Sequence, residues 1–353
     1  MRQFTEDSLF AAKAAAGLPQ GKVIFAGTPE IAADCLRSLL GAGVEVAAVL
    51  TRPDAPVGRK RRLTPSPVAQ AAEEAGLPVI RAARVDDAVT EQLAGFDARL
   101  GVVVAYGALL PQPALEALPL GWVNLHYSWL PKHRGAAPVQ HAILHGDQTT
   151  AATVFQLEKG MDTGPIHGLV EHPLPADQSS GAVLKELTRL GSSLLEVLLP
   201  DVLAGVSVPA PQQGEPSLAP KLTREDAFID PSAPASEVIR RTNATIPEPG
   251  AWTSNGEDRV KLGVARAYEA APPAELTEAV PGEVLEAPGD RTGDGRVILM
   301  KAGDGQPVVL SAVQPAGKRM LNAADWFRGL QGRTVLGPVA GSDRDPDKDE
   351  ETE

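Results

Sequence analysis

The sequence predicts an α/β domain with an open, mostly parallel sheet, followed by a small β-barrel domain. Three observations carry this prediction. The chain opens with a strand (Lys22–Ala26), a turn (Gly27-Thr28-Pro29-Glu30), an amphipathic helix through Leu40 and a second strand (Val44–Leu50), the order of a parallel α/β unit. Further on, Leu100–Ala105 is an unbroken apolar run, as a strand covered on both faces requires. Beyond residue 220 the texture changes to short apolar runs separated by Gly and Asp turns, a barrel pattern. A length of 353 residues is comfortable for two domains.

Taken in order, residues 1–20 read as an extension, either poorly ordered or a short Ala-rich helix. The α/β domain is expected over 21–204. Its Gly27 turn has one glycine where a dinucleotide fingerprint needs three, so it is either an anion-binding helix entry or a tight packing turn. The second strand leads into Arg52–Leu63, a turn-rich loop with four consecutive cations, Arg59-Lys60-Arg61-Arg62. Such a loop suits a phosphate backbone or is simply solvated. A helix is expected from Pro65-Ser66-Pro67-Val68 to Ala75, a short strand at Pro78–Ile80 and a helix over Val85–Leu93. Helix Pro138–Leu144, strand Thr150–Leu157, strand Ile166–Pro173 and a long helix Ser179–Leu199 complete the domain. The Pro, Gln, Gly and Ser composition of 205–220 predicts a linker. The barrel is expected over 221–335, with strands such as Val260–Leu262, Arg296–Leu299 and Val308–Leu310 and a closing helix Leu321–Leu330. Residues 336–353 read as an acidic, disordered tail, with seven acidic and two basic groups from Asp343 to Glu353.

Composition narrows the function. The net charge of −12 argues against broad nucleic-acid binding without excluding a local basic face. A single cysteine, Cys35, permits no intrachain disulfide and suits a reducing cytoplasm. The first 20 residues carry Glu6 and Asp7 and lack the apolar core of a signal peptide. No apolar run reaches membrane-spanning length.

The chemistry concentrates in Asn124-Leu125-His126-Tyr127-Ser128-Trp129-Leu130-Pro131 and the following Lys132-His133-Arg134-Gly135-Ala136-Ala137-Pro138. On an extended strand Asn124, His126 and Ser128 share one face, with Val123, Leu125 and Tyr127 on the other. Asn124 can donate to a carbonyl oxygen, and His126 can change charge near neutral pH. Asp162, thirty-six residues beyond His126 and framed by Gly160 and Gly164, could hold that imidazole charged. Together they suit amine attack on a carbonyl carbon, with Asn124 and His126 facing the developing oxyanion and Asp162 managing the amine proton. No serine or cysteine sits in a nucleophile frame, which points to direct transfer. His141 and His145 have the spacing of a zinc helix, but no Glu follows His141 and no third ligand suggests itself, so no metal is expected.

Asn124-x-His126-x-Ser128-x-Leu130-Pro131-x-x-Arg134-Gly135-Ala136-Ala137-Pro138 with Asp162-Thr163-Gly164 resembles the signature of the folate-dependent formyltransferases. Phe25-Ala26-Gly27-Thr28-Pro29, Lys60-Arg61-Arg62-Leu63, Ala105-Tyr106-Gly107 and Leu310–Arg319 resemble the branch of that family acting on aminoacylated tRNA, over about residues 21–330. The resemblance implies a Rossmann-like formyltransferase domain and an OB-like, tRNA-binding C-terminal domain. It implies 10-formyltetrahydrofolate as donor and the α-amine of initiator methionyl-tRNA as acceptor, handled by a cytoplasmic, monomeric enzyme. Asn124, His126 and Asp162 fall on the catalytic trio. Ala105, Tyr106, Gly107, Ser128, Trp129, Leu130 and Pro131 fall on the folate pocket. Arg59, Lys60, Arg61, Arg62 and Arg134 fall on the tRNA contacts, Arg59 foremost. Tyr127 and Trp129 depart from the smaller or aliphatic residues common in the motif, and packing effects are expected there. The first 20 residues have no expected counterpart, and clustered cations in the second domain are few beyond Arg240-Arg241 and Lys318-Arg319.

Overall fold

The computed structural model describes residues 1–58, 61–330 and 334–337. The chain forms two compact units: Met1–Ala142 with Asp147–Leu174 and Ala182–Lys221, and Ile143–Gly146 with Pro175–Gly181 and the chain from Leu222 onward.

The first unit is built on an eight-stranded sheet. In chain order its elements are β1 (Arg2–Phe4), α1 (Glu6–Ala15), β2 (Val23–Gly27), α2 (Glu30–Gly41), β3 (Val46–Thr51), β4 (Ala55–Val57), β5 (Arg62–Thr64), α3 (Pro67–Glu74), β6 (Val79–Arg81), α4 (Asp87–Ala94), β7 (Leu100–Val104), α5 (Gln112–Leu115), β8 (Trp122–His126), α6 (Pro138–His145), β9 (Thr149–Gln156), β10 (Ile166–Pro173) and α7 (Ser180–Leu203). The sheet order is β1-β10-β9-β8-β7-β2-β3-β6, and only β9 runs against the rest. Every residue of β2 and β7 is buried, as predicted for the Leu100 run except at Ala105, which lies beyond β7 and is exposed. Strand order reverses between β2 and β7, and a doubly wound sheet takes its ligands in the crevice beside such a reversal. Gly27 closes that junction: a Cβ there would lie 2.7 Å from the Ala32 Cβ and 2.8 Å from the Val104 carbonyl oxygen. Gly101 is equally committed, since its Cβ would fall 1.9 Å from the Trp122 ring.

The N-terminal twenty residues are part of this unit. β1 adds a parallel edge strand beside β10, with Gln3 opposite Leu169. Thr5 caps α1 in a reciprocal box with Ser8, Leu9 is fully buried, and Lys13 bonds Glu196 on α7 at 2.7 Å. These ties make the segment a strand and helix, where the sequence left open a poorly ordered extension. Cys35 is buried on α2, and burial pushes its thiol up to about 12, so it supplies no nucleophile at neutral pH.

The second unit comprises α8 (Ala235–Ala244), β11 (Trp252–Asn255), β12 (Asp258–Leu262), β13 (Ala265–Ala267), α9 (Glu275–Glu278), β14 (Glu283–Pro288), β15 (Arg296–Lys301), β16 (Pro307–Leu310), β17 (Ala312–Gln314), β18 (Leu321–Asn322), α10 (Ala323–Arg328) and β19 (Thr334–Val335). Its strands pair antiparallel in two sheets, β11-β12-β17-β18 and β13-β16-β15-β14-β19. Two segments run from one sheet into the other, at Gly263-Val264 and at Ser311, so the sheets wrap one core of Val260, Leu262, Ile298, Met300, Val308, Val313 and Trp326. Gly263 permits the bend, because a Cβ would sit 2.8 Å from the Ala312 Cβ. Among the described residues no helix is long and apolar enough to cross a membrane. Arg59, Lys60 and most of the acidic tail lie outside the described residues.

Candidate active site

The site lies wholly in the first unit, at the C-terminal end of β8. Sheet register fixes the strand: Asn124 stands between Val103 and Phe155, and His126 opposite Thr153. Asn124 is part-exposed and its amide has no hydrogen-bond partner among the described residues. Two residues on, His126 is buried, with the Phe155 ring edge-on at 6.3 Å.

His126 Nε2 lies 3.0 Å from the His133 carbonyl oxygen. A carbonyl only accepts, so Nε2 carries a hydrogen and Nδ1 is the nitrogen that gains or loses a proton. Nδ1 lies 3.8 Å from Asp162 Oδ2. The long-range association of His126 with Asp162, which spacing could only suggest, is therefore present.

Asp162 sits in the turn between β9 and β10 in the left-handed region, at φ +51°. Its carboxylate accepts the Gly135 N–H at 2.7 Å. Gly164 makes the turn possible, since a Cβ there would lie 1.8 Å from the Gln156 carbonyl oxygen. The facing loop, 129–137, is as constrained. Ser128 Oγ donates to the Lys132 carbonyl at 2.6 Å, and a Cβ on Gly135 (φ +125°) would meet the Ala219 oxygen at 2.7 Å.

One residue of this site was not anticipated. Gln212 donates through Nε2 to the carbonyls of Asp162 (2.7 Å) and Gly164 (2.9 Å), and its Oε1 accepts from Arg134 Nη2 (2.6 Å) and Nε (3.3 Å). It stands in the 205–220 segment whose composition reads as a linker. That segment bridges Ile166 at Ala210 and Arg134 at Leu218, and Ser217 Oγ accepts the His133 N–H at 2.9 Å. Two adjacent amides among prolines, Gln212-Gln213, were the only hint in the sequence.

The other expected residues divide. Ala105 (φ +48°) and Gly107 (φ +83°) give the chain a sharp turn after β7, beside the β2 turn, where Thr28 Oγ1 donates to the Tyr106 carbonyl at 2.7 Å. The Tyr106 side chain is buried and donates to the Ala82 carbonyl, so at 105–107 the backbone and the exposed Ala105 methyl are what can face a ligand. Leu130 packs with Phe155 and Ile166, and the Ser128 hydroxyl is committed to its own turn. Trp129 and Pro131 line a separate cavity of about 240 Å³ with Lys132, Asp147 and Thr150. Tyr127 points to the opposite face, 3.1 Å from Thr188 on α7, and burial raises its pKa, a packing role as expected. Arg134 is engaged by Gln212. Arg61 and Arg62 are exposed on the β4–β5 hairpin. His141 donates to the Pro220 carbonyl, and among the described residues no group of three or more His, Cys, Asp or Glu is placed to hold a metal.

An amide and an imidazole thus stand at the end of one strand of a doubly wound sheet, faced by a loop carboxylate, and comparison gives the family of the chain. The family model described as formyl transferase matches residues 21–198, and that for the formyl transferase C-terminal domain matches 221–331. The chain belongs to the formyl transferase family, among the methionyl-tRNA formyltransferases. It is 48% identical to the methionyl-tRNA formyltransferase of Renibacterium salmoninarum over 309 residues, 88% of this chain and 96% of that one. With the enzyme of the same name from Acidothermus cellulolyticus it shares 50% identity over 317 residues, 88% of this chain and 97% of that one. Solved structures share the fold at low identity. HypX of Aquifex aeolicus with tetrahydrofolic acid matches with a TM-score of 0.59 and 18% identity, over 87% of this chain and 46% of that one. An N-formyltransferase from Helicobacter canadensis with folinic acid and dTDP-3-aminofucose matches with a TM-score of 0.59 and 16% identity, over 84% of this chain and 100% of that one.

Proposed function

We propose that this chain transfers the formyl group of 10-formyltetrahydrofolate to the α-amine of initiator methionyl-tRNA, giving N-formylmethionyl-tRNA and tetrahydrofolate. The observation that carries the mechanism is the pairing of His126 Nδ1 with Asp162 Oδ2 at 3.8 Å, on the strand face that also presents the Asn124 amide.

The donor supplies a formyl carbon bound to a nitrogen that can leave. The crevice suits it: the loops after β7 and before Asp162 carry two large apolar side chains left in solvent, Leu109 at 82% and Met161 at 59% exposure, which an aromatic ring system could cover. Backbone at Ala105-Tyr106-Gly107 and the Asp162 turn would border the donor, and Trp129, Leu130 and Pro131 would act through the backbone of their loop, since the side chains of Trp129 and Pro131 line the separate cavity and that of Leu130 packs with Phe155. The Ser128 hydroxyl, bound to Lys132, would act by shaping that loop. As the amine attacks, charge develops on the formyl oxygen, where the Asn124 amide and a proton on His126 Nδ1 would stabilise it. The Asp162 carboxylate would take the amine proton directly or through water, and that proton would pass on to the leaving nitrogen as the carbon–nitrogen bond breaks.

Arg61 and Arg62, with Arg59 and Lys60, would hold the tRNA backbone. Arg134, tied to Gln212, would act there only through its remaining donors. The second unit adds cations that the sequence did not cluster: Arg259 and Arg224 lie 4.7 and 5.6 Å from the Trp252 ring, a surface suited to a phosphate backbone with stacked bases. We take the chain to act as a cytoplasmic monomer.

The test supplies purified protein with 10-formyltetrahydrofolate and, in turn, charged initiator tRNA, uncharged initiator tRNA, an amino-sugar nucleotide and glycinamide ribonucleotide. Formyl transfer to the charged tRNA alone is expected. Formylation of either small amine without methionyl-tRNA overturns the proposal.

A further inference from the structure

The residue whose carbonyl sets the His126 tautomer is itself held in an unusual way. His133 has φ +58°, a left-handed conformation that residues bearing a Cβ seldom adopt. Three ties keep it there. Its N–H donates to Ser217 Oγ at 2.9 Å, its carbonyl receives His126 Nε2 at 3.0 Å, and its ring Nε2 donates to Asp147 Oδ2 at 2.8 Å. The last contact is well shielded, with the His133 side chain 6% and that of Asp147 22% exposed. Asp147 is anchored in turn, its N–H donating to the Ala142 carbonyl at 3.0 Å.

We infer that His133 and Asp147 are positioning residues for formyl transfer: their side-chain bond holds the residue 133 carbonyl so that His126 keeps its hydrogen on Nε2 and its proton-exchanging Nδ1 toward Asp162. The inference rests on the functional reading above. A neutral imidazole carries one hydrogen, and the hydrogen bond of one nitrogen decides which nitrogen stays basic. With the ring of residue 133 released, its backbone can leave the left-handed region and carry the carbonyl away from Nε2. The neutral ring's hydrogen would then be free to move to Nδ1, and the imidazolium whose Nδ1 proton faces the developing oxyanion would lose the acceptor that holds its Nε2–H. Nothing in this role requires His133 or Asp147 to touch a substrate.

The experiment uses the full chain with ¹⁵N-labelled histidine, whose ring nitrogen shifts in the free protein distinguish the two tautomers of His126. In Asp147→Ala a mixed tautomer population is expected, with single-turnover transfer slowed about 10–100-fold, the usual weight of a group that orients a ligating or catalytic imidazole. KM for donor and for charged tRNA should stay within about twofold, because substrate contacts are untouched. Asp147→Asn keeps an acceptor oxygen and should restore both tautomer and rate, and His133→Gln, which offers Asp147 a donor, should restore them in part. These conservative variants also guard against loss of folding in Asp147→Ala. A His126 ring still hydrogenated on Nε2 in Asp147→Ala overturns the inference whatever the rate does, as does a wild-type rate. Because the tautomer is read without substrates, its failure is separate from failure of the formyl-transfer reading.

Discussion

Replacing Gln212 by Ala removes four hydrogen bonds at once. Two hold the carbonyls of Asp162 and Gly164, and two engage the Arg134 guanidinium. At about 1 kcal/mol net for each neutral bond, the turn carrying Asp162 loses roughly 2 kcal/mol of support. That loss bears on a residue at φ +51°, a conformation that itself costs about 1–2 kcal/mol. The support lost and the strain retained are of similar size, so the turn should populate other conformations. A change of 2 kcal/mol is roughly 30-fold in an equilibrium, which bounds the effect. We expect single-turnover transfer to slow about 10-fold at saturating donor and charged tRNA, because a misplacement near 1 Å at a proton-handling group is costly. The melting temperature should fall only slightly, since the defect is local. Gln212→Glu sharpens the test. It keeps an acceptor for Arg134, loses the donor to both carbonyls and sets a negative charge against them, so it should be at least as slow as Gln212→Ala. A wild-type rate in Gln212→Ala, or a Glu variant faster than the Ala variant, would refute the reasoning.

Asn124→Ala should reduce kcat about 10²–10³-fold, the usual loss for one oxyanion donor, with an unchanged melting curve because the amide bonds nothing among the described residues; a near-wild-type kcat would remove Asn124 from the mechanism. Neutralising Arg61 and Arg62 should leave donor KM unchanged and flatten the salt dependence of tRNA binding by about 0.7–0.9 for each phosphate no longer neutralised, measured by binding titrations at several salt concentrations; equal loss of donor and tRNA affinity would count against the hairpin. His167 is held to a pKa of about 4 by burial first and the N-terminal amine second. Its Nε2 donates to Gln156 and its Nδ1 faces the Ser207 hydroxyl. The unfolded chain therefore binds the extra proton first, near its ordinary 6.5, and the stability due to neutral His167 is present above that value and lost as pH falls toward 4. Melting curves of wild type and His167→Asn should diverge least at the acid end of that window and most at its neutral end; a constant difference across it would show that His167 is not the titrating group.

The legible parts of the site are those carried by periodic structure. β8 places Asn124 and His126 on one face because alternation on a strand is enforced by its neighbours, here Phe155 and Thr153. Extrapolating the same alternation to Ser128 failed physically, because β8 ends at His126 and Ser128 already belongs to the turn that its hydroxyl closes onto Lys132. Asp162 was legible through its glycines: Gly164 leaves no room for any side chain against Gln156. Gln212 was not legible. Its segment is held by isolated backbone bridges at Ala210 and Leu218, and such pairing leaves no hydrophobic period in the sequence. The N-terminal strand was hidden for a related reason, since three residues are too few to show an alternation.

The way the trio is divided between strand and loop also predicts how it fails. Asn124 and His126 sit on a strand flanked on both sides, so the oxyanion-facing pair inherits the rigidity of the sheet. Asp162 has no such frame. Its left-handed backbone is held by Gln212, its carboxylate by the Gly135 N–H, and Gly135 is itself wedged against Ala219. The 205–220 segment thus acts on the loop half of the site and hardly on the strand half. Perturbing it should first impair the proton transfer assigned to Asp162 while leaving the charge stabilisation assigned to Asn124 intact. In kinetic terms, Gln212 variants should become limited by a step sensitive to solvent deuterium, whereas Asn124→Ala should slow the attack on the formyl carbon without raising that sensitivity. Solvent isotope effects that rise equally in both variants would show that the strand and the loop do not divide the chemistry in this way.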